Sequence, residues 1–268
     1  MEMIKRLITK QYNTIRGLKL AVTQVVIIFI AFVGAGCNRK QNNQVTNQEK
    51  HIVIELRQQP LRERVYTAEE QRILKPDTVI ERLKRGNLRY VNNDLTARDH
   101  STMVRKAAKG QYPKAVIISC LDSRVPVADI FDKGIGDLFV GRVAGNFVNE
   151  DLLGSIEYGC KVSGAKLVLV LGHESCGAIK AAIDDVKLGN ITAMLSKIKP
   201  AVRRSQDFKG DKTSKNNEFV EYVAKNNILE TIAKIRSGSE ILREMEAAGQ
   251  IKIIGAYYHL SSGVVDFL

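Results

Sequence analysis

The sequence is poor in several residue types whose abundance marks particular classes of protein. It has no tryptophan, only 5 prolines among 268 residues and 6% aromatic residues, which excludes collagen-like and proline-rich low-complexity chains. Its 4 cysteines are too few for a disulfide scaffold, although they suffice for a site built from two or three thiols. The 44% of hydrophobic and 26% of charged residues are ordinary for a globular protein that buries a real core.

Long apolar runs are also scarce, and the one at residues 20–35 is shorter than the about 20 residues that a membrane-spanning helix needs. A basic segment precedes this run, and small residues follow it directly before Cys37. This order is typical of a secretory signal, so we predict that residues 1–36 are a signal peptide. The junction resembles a bacterial lipobox, although Gly34 stands where a leucine-like residue is usual. Cys37 would then be the lipidated mature N-terminus.

An uncleaved signal anchor and ordinary cleavage are the alternatives to lipidation. In each case the rest of the chain is predicted to lie on the periplasmic side of the cell envelope, anchored to the membrane if Cys37 is acylated.

The net charge of +12 is spread along the sequence and accompanies no nucleic-acid-binding module, so we expect no nucleic-acid partner. Residues 38–75 are rich in polar residues and are predicted to form a tether and arm.

The remaining residues, 76–268, show the alternation of an α/β domain. A helical pattern covers Pro76–Val91, and further helix-like stretches cover 149–162 and about 176–188. Short β-branched runs occur at 115–119, 138–143, 166–171 and 251–257. Because these runs are apolar almost throughout, we predict a mainly parallel central sheet flanked by helices on both faces.

Two polar segments follow directly after predicted strands. Ser-Cys-Leu-Asp-Ser-Arg occupies 119–124, and Gly-His-Glu-Ser-Cys-Gly occupies 172–177. Ligand sites in open α/β sheets lie at the carboxyl ends of the strands, so neighbouring strands would bring Cys120, His173 and Cys176 together. Two thiols and one imidazole suit zinc, and the fourth position would be left for water, as in catalytic zinc sites.

The charge of this ligand set predicts what else the site needs. Two thiolates cancel the charge of Zn²⁺, so a bound water would be less acidic than in a three-histidine site, where its pKa is about 7. Asp122 and Arg124 lie beside Cys120 in the sequence and could help to activate this water. The carboxylate could accept a hydrogen bond from the water or occupy the open metal position, and the guanidinium could hold it off the metal.

Other interpretations of these residues stay open at this point. A cysteine after a strand is commonly a small core residue, and Cys120 and Cys176 could instead form a disulfide in an oxidising compartment. Cys160 falls within a helix-like stretch and is predicted to be a core residue. His51, His100 and His259 have no partner that the sequence identifies and are predicted to lie at the surface.

The two motifs, Cys-x-Asp-Ser-Arg and His-x-x-Cys, resemble those of the β-class carbonic anhydrases. The resemblance extends from about residue 76 to 268 and includes Arg-Val-Ala-Gly-Asn at 142–146, whereas Leu121 replaces a customary small residue. It implies a zinc ion bound by Cys120, His173 and Cys176 and a catalytic dyad of Asp122 and Arg124. It also implies a β-carbonic anhydrase-like fold with an N-terminal helical arm that clasps a second subunit, in a homodimer or homotetramer.

The function implied by this resemblance is the reversible hydration of carbon dioxide to bicarbonate and a proton by a zinc-bound hydroxide. Three alternatives use the same residues. The first is hydrolysis of a similar small molecule such as carbon disulfide or carbonyl sulfide. The second is a non-catalytic zinc-binding protein in which Asp122 permanently closes the metal. The third is a thiol oxidoreductase that uses Cys120 and Cys176.

Overall fold

A central five-stranded sheet organises residues 64–268, the part of the chain that the computed structural model describes. The strands are β1 (Ala115–Ser119), β2 (Leu138–Arg142), β3 (Leu167–His173), β4 (Lys252–Tyr258) and β5 (Val265–Phe267). They lie in the order β2-β1-β3-β4-β5, and all neighbours are parallel except β4 and β5. The predicted, mainly parallel α/β sheet is therefore confirmed.

Helices connect the strands and cover both faces of the sheet. The α-helices are α1 (Ala68–Arg72), α2 (Pro76–Val91), α3 (His100–Ala107), α4 (Val127–Ile130), α5 (Glu150–Glu157), α6 (Gly177–Ile183), α7 (Gly189–Leu195), α8 (Lys199–Arg204), α9 (Asn217–Gly238) and α10 (Glu240–Ala247). A π-helical turn, Tyr158–Val162, continues α5. The Pro76–Val91 helix has its proline in the first turn, where no intrahelical hydrogen bond is lost. None of the helices within 64–268 is both long and apolar enough to span a membrane.

Burial on both faces explains why the strands are apolar throughout. Every residue of β1 and β3 is buried. On one face, Ile118 and Val170 pack with α9 residues such as Ile228, while on the other Ile117 and Leu169 belong to the cluster that contains Leu83 of α2. Each such side chain contributes about 1.5–3 kcal/mol by leaving water, so the two central strands position the loops at their ends firmly.

The predicted signal peptide, Cys37 and residues 38–63 of the predicted tether lie outside the described residues. The remainder of that segment, residues 64–75, contains helix α1. Its Gln71 is buried, and the side-chain amide donates to the carbonyls of Pro113 and Ser163, both at 2.7 Å. A buried amide that satisfies two loop carbonyls ties α1 to the body of the domain.

A fully buried carboxylate, Asp132, fixes the loop after α4. It accepts hydrogen bonds from Thr96, from Arg89 Nε at 2.5 Å and from Arg98 Nη2 at 2.5 Å. Burial opposes the ionisation of Asp132, but these three partners outweigh it and lower its pKa to about 2. Since the pKa is lowered, the ionised group stabilises the fold above about pH 4, and that contribution is lost as the pH falls toward 2.

We therefore expect Asp132→Asn to lower the free energy of unfolding by ~2–4 kcal/mol at pH 7, because two arginines lose a buried ionic partner. Denaturant unfolding at pH 7 and at pH 3 checks this, and the deficit should shrink at pH 3. The exposed Asp94, which lies near the end of α2 and forms no side-chain hydrogen bond among the described residues, supplies the control Asp94→Asn. Equal stability of the Asp132 variant and the wild type at pH 7 would contradict the prediction.

Candidate metal centre

The predicted ligands converge where β1 and β3 end side by side. Ser119 is paired with Leu171 at the last shared position, so Cys120 directly after β1 lies near His173, the last residue of β3. Cys176 is the residue that precedes α6. The donor atoms of Cys120, His173 and Cys176 all lie within 4.8 Å of one another, and all three residues are buried. The structure thus brings together in one place the donor residues of two separate sequence motifs.

A tight turn aims His173 and Cys176 at the same point. Ser175 has a left-handed backbone conformation with φ of 52°, which few residues other than glycine and asparagine adopt readily. The turn is held by Glu174, whose N–H donates to the Tyr258 carbonyl at 2.9 Å and whose carboxylate accepts from the Ser261 N–H at 2.9 Å. Strained backbone that neighbouring groups hold in place is common at functional sites.

His173 has one nitrogen satisfied and the other unpaired. Its Nδ1 lies 2.8 Å from the Glu174 carbonyl, which can only accept, so Nδ1 carries the proton. Nε2 is therefore a lone-pair acceptor, and it is buried with no hydrogen-bond partner among the described residues. An unsatisfied buried acceptor costs about 1–3 kcal/mol, whereas a backbone carbonyl that orients the opposite nitrogen is the usual arrangement of a metal-binding histidine.

The two thiols are free and lie 3.9 Å apart, so the disulfide alternative does not describe this structure. The hydrogen bond with Cys176 lowers the pKa of Cys120, and the Gly145 N–H at 3.3 Å acts in the same direction. The Cys120 thiolate and burial together raise the pKa of Cys176, because a second negative charge so near the first is unfavourable. A cation between the sulfurs is what would allow both to ionise.

The spacing of the donors fits a tetrahedral metal. Zn–S bonds of about 2.3 Å in a tetrahedral arrangement place two sulfurs roughly 3.8 Å apart, close to the observed 3.9 Å. The unpaired His173 Nε2 supplies a third donor, within 4.8 Å of both sulfurs. Thiolate and imidazole donors are those that zinc prefers. These residues could therefore hold a zinc ion with one coordination position left over.

Asp122 and Arg124 lie beside this donor set and form a two-pronged ion pair. Arg124 donates from Nε and Nη2 to the two carboxylate oxygens at 3.0 and 2.7 Å, and its backbone N–H adds a bond at 2.9 Å. The guanidinium holds the pKa of Asp122 well below its usual range. Asp122 Oδ2 lies 4.0 Å from His173 Nε2, so an ionised acceptor faces the donor atoms. The roles of these two residues stay predictions.

Sequence reasoning missed the residues that fix the loops around the donors. Arg142 at the end of β2 donates to the carbonyls of Cys120 and Asp122, and so clamps the loop that carries them. Asn227 and Thr231 on α9 donate to the carbonyls of Gly145 and Asn146, at 2.8 and 3.2 Å. The available signal was a pair of polar residues one helical turn apart within an otherwise buried helix face.

The other cysteine and histidine predictions have mixed outcomes. Cys160 is buried in the core as predicted, and burial raises its pKa to about 12. His100 is exposed. His259 is half-buried rather than fully at the surface. It has a partner that the sequence did not identify: its Nε2 lies 2.8 Å from an Asp266 carboxylate oxygen, because the antiparallel turn into β5 brings the two together. His51 lies outside the described residues.

Comparison with known proteins agrees with this architecture. The sequence model of the family described as "Carbonic anhydrase" matches residues 115–265. "Carbonic anhydrase 2" of Mycobacterium tuberculosis is 36% identical over 187 residues, which is 68% of this chain and 87% of that protein.

Two solved structures share the fold. The Coccomyxa β-carbonic anhydrase in complex with acetazolamide has a TM-score of 0.55 and 26% identity, over 71% of this chain and 85% of its own. One of two tetrameric β-carbonic anhydrases from Sordaria macrospora has a TM-score of 0.56 and 24% identity, over 72% of this chain and 97% of its own. The chain therefore belongs to the carbonic anhydrase family and, within it, to the β class.

Proposed function

We propose that this protein catalyses the reversible hydration of carbon dioxide to bicarbonate and a proton, with one zinc ion per subunit held by Cys120, His173 and Cys176. Family membership supports the reaction. The observation that carries the metal assignment is the buried, unpaired His173 Nε2 facing two sulfurs that are 3.9 Å apart. When bound, zinc would supply Lewis-acid activation of water in an otherwise buried corner of the domain.

The protein's own residues would orient and hold the reacting water. Asp122 is kept ionised by Arg124 and can accept a hydrogen bond, so it fixes the direction of a water at the open side of the donor set. Arg124 also competes with the metal for that carboxylate, which opposes a state in which Asp122 becomes the fourth ligand. Arg142 keeps Cys120 and Asp122 in register by binding both of their carbonyls.

The charge of the ligand set bears on the pH at which this chemistry would run. Two thiolates neutralise a divalent cation, so water activation relies more on Asp122 than in a site of three neutral histidines. The Gly145 N–H reduces the charge on Cys120 by donating to its sulfur at 3.3 Å. Such a bond leaves more positive charge on the metal for water activation.

The working form is proposed to be a homodimer or homotetramer. The structurally similar Sordaria macrospora proteins are tetrameric. In this chain β2 is an edge strand, and Val140 within it is 41% exposed beside Tyr158 at 54%. An edge strand with exposed apolar neighbours is suited to cover by a second copy of the chain.

We further propose export to the periplasmic side of the cell envelope and anchoring through a lipidated Cys37. The basic segment, the apolar run at 20–35 and the small residues before Cys37 support this. Bicarbonate would then be formed outside the cytoplasm.

Cys37→Ser should move the protein from the membrane fraction to the soluble periplasmic fraction, because a serine cannot accept the thioether-linked lipid. Immunoblotting of cell fractions measures this, with Cys160→Ala as a cysteine variant that should stay in the membrane fraction. Retention of Cys37→Ser in the membrane with the apolar run still attached would favour the uncleaved anchor instead.

Stopped-flow measurement of CO2 hydration from pH 7 to 9, on full-length protein in mild detergent with its zinc content determined, tests the proposed reaction. Turnover of CO2 with one zinc per subunit is expected. Faster turnover of carbonyl sulfide or carbon disulfide would reassign the substrate. Zinc-replete protein that is inert toward CO2 would support a binding role, and zinc-free protein with a reversible Cys120–Cys176 disulfide would support thiol chemistry.

A further inference from the structure

A cavity on the side of the sheet away from the donor loops is lined almost entirely by cations. It has a volume of about 410 Å³, and its lining residues are Arg64, Tyr66, Arg82, Arg85, Arg89, Lys114 and Lys133. Lys114 directly precedes β1 and Cys120 directly follows it, so this cavity and the metal centre lie at opposite ends of the same strand. We name it the basic pocket.

Three of its arginines come from one face of helix α2. Residues 82, 85 and 89 are spaced three and four apart, which places them side by side along the helix. Like charges at these spacings destabilise a helix unless an anion lies between them. The adjoining face of α2 carries Val79 and Leu83 into the core, so the helix cannot rotate the arginines away without losing that packing.

A close approach brings a further cation against the same helix. At Gly86 an added Cβ would lie 1.9 Å from the Phe131 carbonyl oxygen and 3.3 Å from Lys133 Nζ. Only glycine permits this close contact between α2 and the Phe131 carbonyl. The contact places the Lys133 amine beside the three arginines of α2. Tyr66 forms an aromatic wall, with its ring 3.9 Å from Lys114 Nζ and its hydroxyl accepting a hydrogen bond from Arg82.

Among the described residues, carboxylates pair with some of the cations that line the basic pocket, such as Lys114 with Asp137, but not with Arg82 or Arg85. Arg64 is paired with Glu70, and Arg89 shares Asp132 with Arg98. Arg82 bonds to a neutral hydroxyl. Arg85 forms no hydrogen bond or ion pair with any residue of the 64–268 segment and is exposed at the rim. Arg82 and Arg85 therefore keep charge and donors available for a ligand.

We propose that the basic pocket binds a phosphate-bearing anion. Several guanidinium groups that approach from one helix face match the three or more oxygens of a phosphate better than the two of a carboxylate. The anion's source is a soluble phosphate compound or the headgroup of an anionic lipid.

Calorimetric titration of the full-length protein in neutral detergent tests the proposal, with inorganic pyrophosphate as the soluble probe. Wild-type protein should bind it with an affinity that falls as salt is raised. Arg85→Glu should weaken binding by about tenfold or more, since one charge-assisted contact becomes a repulsion, and Arg85→Lys should retain most of it. Arg203→Glu is the matched control: Arg203 is exposed on α8, away from the pocket, and its loss should change the affinity less than about twofold.

A second arm distinguishes the sources of the anion. Neutral-detergent micelles that contain phosphatidylglycerol replace pyrophosphate, and Arg85-dependent binding to them would identify a lipid headgroup. Arg85-dependent binding of either probe supports the proposal, provided that the thermal unfolding midpoint of Arg85→Glu matches that of wild type. Equal affinity of wild type and Arg85→Glu for both probes, no binding of either, or succinate binding as tightly as pyrophosphate would overturn it. CO2 hydration is not the readout, so failure here leaves the proposed reaction untouched.

Discussion

Cys176→Ser is expected to lose bound zinc and CO2 hydration together. A serine hydroxyl stays protonated at neutral pH and is a poor zinc ligand, so the remaining Cys120 and His173 would offer only two good donors. The variant should retain well under one zinc per subunit, and kcat/KM should fall by roughly three orders of magnitude or more, because the metal's activation of water is lost. Elemental analysis and stopped-flow hydration measure the two effects on the same sample.

Cys160→Ala is the matched control for this variant. Cys160 is equally buried, but it lies in the core cluster and not in the donor set. Its loss should lower stability by removing packed volume while leaving zinc and turnover near wild type. Full metal retention by Cys176→Ser would remove Cys176 from the ligand set. Circular dichroism separates metal loss from unfolding.

The second large effect is expected for Asp122→Asn, which should keep its zinc while turnover falls by roughly 100-fold or more. The amide is nearly the same size as the carboxylate and can still accept from Arg124, so the loop should keep its place. It carries no charge, however, and so orients the reacting water less strongly. It also leaves Arg124 with a single neutral acceptor in place of the two charged oxygens that now bind it at 2.7 and 3.0 Å.

The measurement is kcat for hydration at pH 8 and the zinc content of the same preparation, compared with Asp129→Asn. Asp129 is an exposed aspartate of α4 in the same connection, and its replacement should leave both quantities unchanged. Unchanged kcat in Asp122→Asn would count against the proposed dyad. Loss of zinc from this variant would instead give Asp122 a structural part in the donor set.

Much of the architecture could be predicted because its determinants are local. Apolar runs in the sequence predict the buried strands β1 and β3, and Pro76 marks the start of α2. Boundaries were less accurate. The stretch predicted as one helix over about 176–188 ends at Ile183, because Asp184 and Asp185 leave the helical path and Asp185 has a positive φ of 53°.

The grouping of Cys120, His173 and Cys176 as one donor set was determined by the sequence: each motif directly follows a strand-forming run, and parallel neighbours end at the same edge. Only the tertiary structure shows which side chains fix the loops at that edge of the sheet. Arg142, Asn227 and Thr231 donate to carbonyls that are 20 or more positions away, so these contacts form only in the folded chain. The sequence shows the three arginines of α2 but not the pocket that they line. The pocket depends on the close contact between Gly86 and Phe131, which are distant in the sequence.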